Sequence, residues 1–306
     1  MVANLHNSSV IKPTDFDDFW EETVFSTEQI PLNPSLTYLP IRSSPEVEVF
    51  DVRYFSFEGL EIAGWYGRPK VVGGKFPALL QVPGYVGEPA FPSAIASQGY
   101  AVFSVAPRGK LRSNSVFNPG YPGLLTHNID DRDSYGYRGF YMDALRALDL
   151  LVSFPEVDQE RVGVMGSSQG GALTLLLSSL RPDLVKASSA GAPYLCSMMD
   201  AASLTRSYPY EEINDYLRVF PDKKDIVREV INYYDIHNFV DQIKCPIIVN
   251  IGLKDDVCPP ETGYAVFDAI GSKQKKLYTY ENCAHDSGGA LGHGKIVMEF
   301  MSDNLK

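Results

Sequence analysis

The chain has 306 residues, 44% of them hydrophobic, and a formal net charge of -11 at pH 7. That composition supplies a sizeable core, and the length fits one large α/β domain or two ordinary ones. The acidic balance repels phosphate backbones and anionic lipid, so neither nucleic acid nor a membrane surface is expected as a partner.

No apolar run approaches the length of a membrane span, and Met1 to Val10 lacks the basic and apolar blocks of a signal peptide. The four cysteines, Cys196, Cys245, Cys258 and Cys283, have no metal-ligand spacing. Reduced thiols in a cytoplasmic protein are therefore expected, with no metal and no cofactor.

Thr14 is placed to cap a first helix whose opening turn is rich in Asp, which suits the positive end of the helix dipole. Phe16, Phe19, Trp20 and Val24 recur at helical spacing and give it one buried face. Residues 47–57 and 60–69 alternate and read as two antiparallel strands around Glu58-Gly59. Strands follow over 76–82 and 100–105, with a short helix between them over 90–98. Tyr141, Leu145, Leu148 and Val152 mark the apolar stripe of a longer helix.

No linker-like stretch interrupts this alternation, so one α/β domain is expected over 1–306. Two segments depart from it. Residues 109–136 are rich in Asn, Asp, Gly, Pro and Tyr and form an irregular excursion. Its Phe117, Tyr121, Leu124, Leu125 and Tyr135 are more apolar groups than such a loop is expected to bury alone. An interface is the favoured reading, and a lid over its own site the competing one. Residues 194–239 carry helical patterns broken at Pro209 and Pro221 and read as an inserted helical cap. In open α/β sheets the ligand lies beyond the carboxyl ends of the strands, within reach of both insertions.

The chemistry centres on Gly166-Ser167-Ser168-Gln169-Gly170, between the strand-like run 161–165 and the helix-like run 172–180. This is the context of a nucleophile elbow. Ser168 stands on a sharp strand-to-helix turn, with glycines on both sides that let backbones approach. The helix behind it points free N–H groups at a developing oxyanion, and the N–H of Gln169, the residue after the nucleophile, is expected among the donors.

A serine needs a base and the base an orienting acid, in the chain order Ser, Asp or Glu, His. His6 lies at the N-terminus, and His127 and His237 precede any downstream acid. His293 falls within the last helical segment and reads as a solvated helix position. His285, in the loop after the strand-like 276–280, is left as the base. The apolar run 246–251 reads as a buried parallel strand and leads to Asp255 and Asp256. Both are candidate acids; Asp255 is favoured, with Asp256 facing solvent or bonded to local backbone.

With these residues placed, the chain resembles the acetyl xylan esterase and cephalosporin C deacetylase family, carbohydrate esterase family 7, over nearly its whole length. The resemblance rests on residues 15–20 (DFDDFW), Gly84-Tyr85, Arg108-Gly109, residues 154–158 (FPEVD), the elbow with Gly171, Gly252-Leu253-Lys254-Asp255 with Cys258-Pro259-Pro260, and His285 followed by an acid and glycines. It implies an α/β-hydrolase fold, with a mostly parallel sheet and helices on both faces. It implies Ser168 as nucleophile, His285 as base, Asp255 as orienting acid and the N–H groups of Tyr85 and Gln169 as oxyanion hole. Arg108 is expected to tie loops together near the site. The implied partner is a small acetylated carbohydrate or related ester, and the implied assembly a homo-oligomer, a hexamer ahead of a dimer.

The chain departs from the family pattern in three places. Arg-Gly-Gln becomes Arg108-Gly109-Lys110, which bears on loop geometry more than on reaction type. His-Glu becomes His285-Asp286, one methylene shorter. The excursion after Arg108 is shorter than in typical members. The resulting expectation is a serine esterase removing short acyl groups, chiefly acetyl. A general short-chain carboxylesterase, a lactone or peptide hydrolase of the same fold, and a catalytically silent binding protein are the alternatives.

Overall fold

The computed structural model describes residues 7–71 and 73–306. His6 and most of the segment read above against a signal peptide lie outside them. Among the described residues nine strands form one sheet: β1 (Ser35–Tyr38), β2 (Val47–Phe55), β3 (Glu61–Pro69), β4 (Phe76–Val82), β5 (Ala101–Ala106), β6 (Val157–Ser167), β7 (Val185–Gly191), β8 (Ile247–Gly252) and β9 (Lys275–Tyr280). Their spatial order is β1-β2-β3-β5-β4-β6-β7-β8-β9. The pairs from β1 to β5 are antiparallel, and those from β5 through β4 to β9 are parallel.

The helices are α1 (Phe16–Glu28), α2 (Ser93–Ala96), α3 (Gly136–Ser153), α4 (Gln169–Leu180), α5 (Met198–Leu204), α6 (Glu211–Val219), α7 (Lys224–Tyr234), α8 (Pro260–Ala269) and α9 (His293–Leu305). Side chains alternate across a strand, so a sheet covered on both faces is apolar at every position. In β5, Val102 faces one core and Phe103 the other; in β8, Ile248 faces one and Ile247 and Val249 the other. α9 covers the smaller core with Val297, Met301 and Leu305. α4 lies within the larger core and is buried from Gln169 to Ser179, the property of a helix with no polar face.

Several expectations are corrected here. Asp15, not Thr14, is the N-cap residue of α1, and no side chain caps it. The helix expected over 90–98 is confined to Ser93–Ala96. β7 has no counterpart in the sequence reading, because Ser188 and Ser189 hide a buried strand. Its Ser188 Oγ is satisfied by Ser178 Oγ at 2.5 Å and Cys245 Sγ at 3.3 Å. β1 escapes because all four of its residues are exposed and show no alternation.

The excursion 109–136 buries more than expected. Leu124, Leu125 and Tyr135 are all within the subunit's own core, and Phe117 packs against it. These four residues therefore do not call for a partner. Leu111, Val116 and Tyr121 remain exposed at 71%, 75% and 50%. Residues 194–239 form α5, α6 and α7 with short 3-10 turns. Among the described residues no helix is long and apolar enough to cross a membrane.

Candidate active site

β6 ends at Ser167, and α4 begins at Gln169. Ser168 makes the whole turn between them, with φ 61° and ψ -122°. A non-glycine residue in that region is strained, and such strain persists only where surrounding contacts hold it. Here Ser168 N donates to Gly191 O at 2.8 Å, and Ser168 O accepts from Ala172 N and Tyr194 N, both at 3.1 Å. The flanking glycines are needed for approach. A Cβ on Gly166 would lie 2.7 Å from the Gly170 carbonyl carbon, and one on Gly170 would strike Val82 O. The strand-to-helix turn closes only because both side chains are missing.

The acid and base meet because their loops are stitched together. Leu253 N donates to Tyr280 O and Lys254 N to Cys283 O, each at 3.0 Å. Asn250 Nδ2 donates to Ser287 O at 2.7 Å, and Gly252 N to Ser287 Oγ at 3.1 Å. Across this seam His285 Nδ1 lies 2.9 Å from Asp255 Oδ2. The Asp255 side chain is 2% exposed and that of His285 31%, so the carboxylate is shielded while the imidazole reaches the surface of the cleft. Asp256 is exposed; its carboxylate accepts from Ser207 Oγ at 3.2 Å and its carbonyl from Thr205 Oγ1. Asp286 is exposed and accepts from Ala290 N at 3.3 Å.

Cys258 joins this cluster without having been singled out as a site residue. Burial pushes its thiol well above the usual range; the Asp255 charge adds to that, and a hydrogen bond with the Ser168 side chain opposes it. The thiol thus stays protonated, an inert, packed group that interacts with both the nucleophile candidate and the acid. Its place flanking the acid loop, next to Pro259-Pro260, is the sequence signal for it, and buried packing the role read from that.

The loop after β4 carries Gly84 and Tyr85. A Cβ on Gly84 would lie 3.8 Å from Ser167 O and 3.9 Å from Ser168 Cβ, so this backbone runs alongside the elbow. Among the described residues neither Tyr85 N–H nor Gln169 N–H has a hydrogen-bond acceptor. Two N–H groups left unpaired beside a serine at a helix N-terminus can receive an oxyanion. The Tyr85 ring is fixed elsewhere: its hydroxyl donates to Glu212 Oε1 at 2.7 Å and accepts from Leu125 N at 3.0 Å. Glu212, on α6, also accepts from Gly123 N at 2.8 Å. Burial raises its carboxyl above the usual range against those hydrogen bonds. One carboxylate thus ties the cap and the excursion to the Tyr85 loop, and nothing in the run Tyr210-Glu211-Glu212 announced it.

Arg108 stands off the reacting groups. Its Nε and Nη2 bind Asp143 Oδ2 and Oδ1 at 2.8 and 3.1 Å, Nη2 binds Phe57 O at 2.8 Å, and Nη1 binds Glu58 Oε2 at 3.1 Å. Gly139 lies so close that any Cβ there would overlap the guanidinium. Arg108 joins α3 to the β2–β3 turn. His293, expected to be solvated, is 4% exposed, with Nδ1 2.7 Å from Tyr280 OH. It is a packed histidine under the sheet edge, because α9 lays its first turn against β9. All four cysteines are buried and unpaired. Among the described residues no cluster of His, Cys, Asp and Glu could hold a metal ion.

Residues 4–303 match the acetyl xylan esterase (AXE1) family. The chain belongs to the acetyl xylan esterase family. It is 29% identical to acetyl esterase Axe7A of Xylanibacter ruminicola over 87% of its own length, and the match spans 62% of that longer relative. Among solved structures it is similar to an acetyl xylan esterase from Paenibacillus sp. R4, with a TM-score of 0.92, 29% identity and 100% coverage of both chains. It is also similar to acetyl xylan esterase 1 from Thermoanaerobacterium sp. JW/SL YS485, with a TM-score of 0.90, 27% identity, and 100% and 99% coverage. The fold is that of these α/β-hydrolases.

Proposed function

We propose that this acetyl xylan esterase family member is a serine esterase that removes acetyl groups from acetylated sugars, xylo-oligosaccharides or related alcohols such as cephalosporin C. The observation that carries the reading is Ser168 on a strained elbow, together with a shielded Asp255 carboxylate hydrogen-bonded to the partly exposed His285. Ser168 Oγ attacks the ester carbonyl while His285 takes its proton. Asp255 holds the imidazole tautomer and balances the imidazolium. The N–H groups of Tyr85 and Gln169 receive the oxyanion, the alcohol departs with the proton from His285, and water then releases acetate from the acyl-enzyme. Every step uses side chains and backbone of this chain.

A short acyl pocket is part of the reading, supported by Tyr85 beside the oxyanion site and by Tyr121 and Tyr194, whose rings lie 5.1 and 5.9 Å from the Tyr85 ring. A homo-oligomer also belongs to it, a hexamer ahead of a dimer. Its support is now the exposed Leu111, Val116 and Tyr121 rather than the buried part of the excursion. A panel of p-nitrophenyl esters of rising acyl length tests the function. Turnover should fall from acetyl to butyryl, vanish for octanoyl, and be lost by about 10⁶ in Ser168→Ala. Equal hydrolysis of the octanoyl ester would point to a general carboxylesterase, and no ester turnover to a binding protein.

A further inference from the structure

Lys110 stands where the family pattern has glutamine, and it is not a solvated loop lysine. It is 4% exposed. Its Nζ donates to Gly84 O at 2.6 Å and to Tyr85 O. Among the described residues Glu88 is the carboxylate that faces it electrostatically, and Glu88 is itself held by Leu111 N at 2.8 Å. Tyr85 and Tyr121 are the phenols that share with Lys110 and Glu88 a cavity of about 250 Å³. Both phenols are pushed above their ordinary range, chiefly by burial.

The two carbonyls that Lys110 holds belong to the peptide units on either side of the Tyr85 Cα. In a planar trans peptide the C=O and N–H point in opposite directions. An ammonium gripping Gly84 O therefore turns the Tyr85 N–H to the other side of the loop. The same charge draws electron density toward Gly84 O and leaves that N–H a stronger donor. The loop lies against Ser168, and the Tyr85 N–H has no acceptor among the described residues. We propose that Lys110 is a positioning residue for the oxyanion hole, fixing and polarising the Tyr85 N–H toward Ser168 through the Gly84 carbonyl. The inference rests on the proposed esterase reading for its kinetic consequence.

Burial lowers the Lys110 ammonium from its ordinary value to about 8, with Glu88 opposing that shift. The cation is thus present below pH 8 and lost above it, and the polarising charge disappears over the same range. A neutral amine still donates hydrogen bonds, so the loop keeps its shape while the N–H weakens as a donor.

Two measurements test this, the second independent of turnover. In the first, Lys110→Gln and Lys110→Met are compared with the parent enzyme on p-nitrophenyl acetate from pH 6 to 10, with melting temperatures as a folding control. Lys110→Met should lower kcat by about 10- to 100-fold with KM little changed, less than the full loss of an oxyanion donor. Lys110→Gln should recover part of that loss but lack the alkaline decline in kcat near pH 8. In the second, protein labelled with ¹⁵N-tyrosine is titrated, the Tyr85 amide being assigned by its absence in Tyr85→Phe. The Tyr85 amide resonance should shift with a midpoint near pH 8 in the parent and stay flat in Lys110→Gln. A resonance indifferent to pH in the parent, or a folded Lys110→Met with kcat within threefold of the parent, overturns the proposal. A parent enzyme inactive on acetyl esters sinks the esterase reading instead, and the amide titration still decides for or against Lys110.

Discussion

Asp255 divides its carboxylate between two tasks. Oδ2 lies 2.9 Å from His285 Nδ1, while Oδ1 accepts the N–H groups of Val257 and Cys258, both at 2.9 Å. The backbone donors fix the carboxylate plane, so the free oxygen is aimed at the imidazole before any substrate arrives. An Asn at this position satisfies both sides only by keeping its oxygen on the backbone and turning its NH₂ toward His285. The imidazole must then accept at Nδ1 and carry its proton on Nε2, the wrong tautomer for the base proposed to serve Ser168.

Asp255→Asn should therefore lower kcat by about 10⁴, as the corresponding change does in other triads, with little loss of fold. Asp256→Asn should stay within a few-fold of the parent, since that carboxylate is exposed and among the described residues meets only Ser207 Oγ. Steady-state kinetics on p-nitrophenyl acetate checks both. A larger loss in Asp256→Asn than in Asp255→Asn would mean that the acid has been misassigned.

The buried Arg108–Asp143 pair supports a prediction about stability rather than turnover. Removing one partner leaves a buried charge without its match, which costs about 3–5 kcal/mol. Asp143→Asn should lose that much in urea unfolding, because the Arg108 backbone N–H and guanidinium all depend on this carboxylate. Arg108→Lys should not substitute, since one ammonium cannot bind both Asp143 oxygens, Glu58 and Phe57 O together. Activity per folded molecule should fall far less than stability. A variant that unfolds like the parent but loses turnover would place Arg108 in the chemistry.

The elbow and the Asp255–His285 pair were legible in the sequence because their signals are backbone requirements and chain order. The glycines around Ser168 are forced by close approach, and only His285 follows a strand-end aspartate outside a helix. What escaped were residues whose role is set by who stands opposite them. Lys110 stands out only as a departure that bears on loop geometry, and Glu212 reads as an ordinary polar helix residue, until folding puts the Tyr85 backbone against one and its hydroxyl against the other. His293 looked solvated because helical periodicity does not reveal that Tyr280 will cover the first turn of α9. The buried excursion was misjudged for a related reason. Its Leu125 N–H donates to the distant Tyr85 hydroxyl and its Tyr135 ring packs on the distant Tyr234, contacts that no local pattern encodes.

Asp235 gives the clearest expectation for pH. Its carboxylate is fully buried and accepts Ser197 N, Met198 N and His237 N at 2.9, 2.7 and 3.0 Å. Burial nonetheless outweighs these donors and raises the carboxyl to about 7. For an acid raised on folding, the native state holds the proton that the unfolded chain has already released. Asp235 therefore makes the protein less stable as pH rises from about 4 to about 7, and adds no further slope above that. Asp235→Asn should remove this slope, yet cost about 1–3 kcal/mol at pH 5, because its NH₂ must face one of the three backbone donors. Urea unfolding of both proteins at pH 5, 6, 7 and 8 checks this. Parallel curves for parent and variant across that range would show that Asp235 stays ionised throughout.

Assembly is the last prediction. Burial of Leu124, Leu125 and Tyr135 removes most of the apolar surface that first suggested pairing through 109–136. It leaves Leu111, Val116 and Tyr121 exposed on the same segment. Exposed apolar side chains gathered on one irregular loop tend to mark contacts between proteins. A homo-oligomer containing dimers paired through this face is expected, with a hexamer ahead of any other single state. Val116 lies outside both the triad and the Lys110 contacts, so Val116→Glu should split the assembly and leave acetyl ester turnover per subunit within a few-fold of the parent. Light scattering coupled to size-exclusion chromatography reads both proteins at micromolar concentration. A monodisperse monomer for the parent would leave the lid reading in place of the interface. An oligomer untouched by Val116→Glu would move the contact to another face.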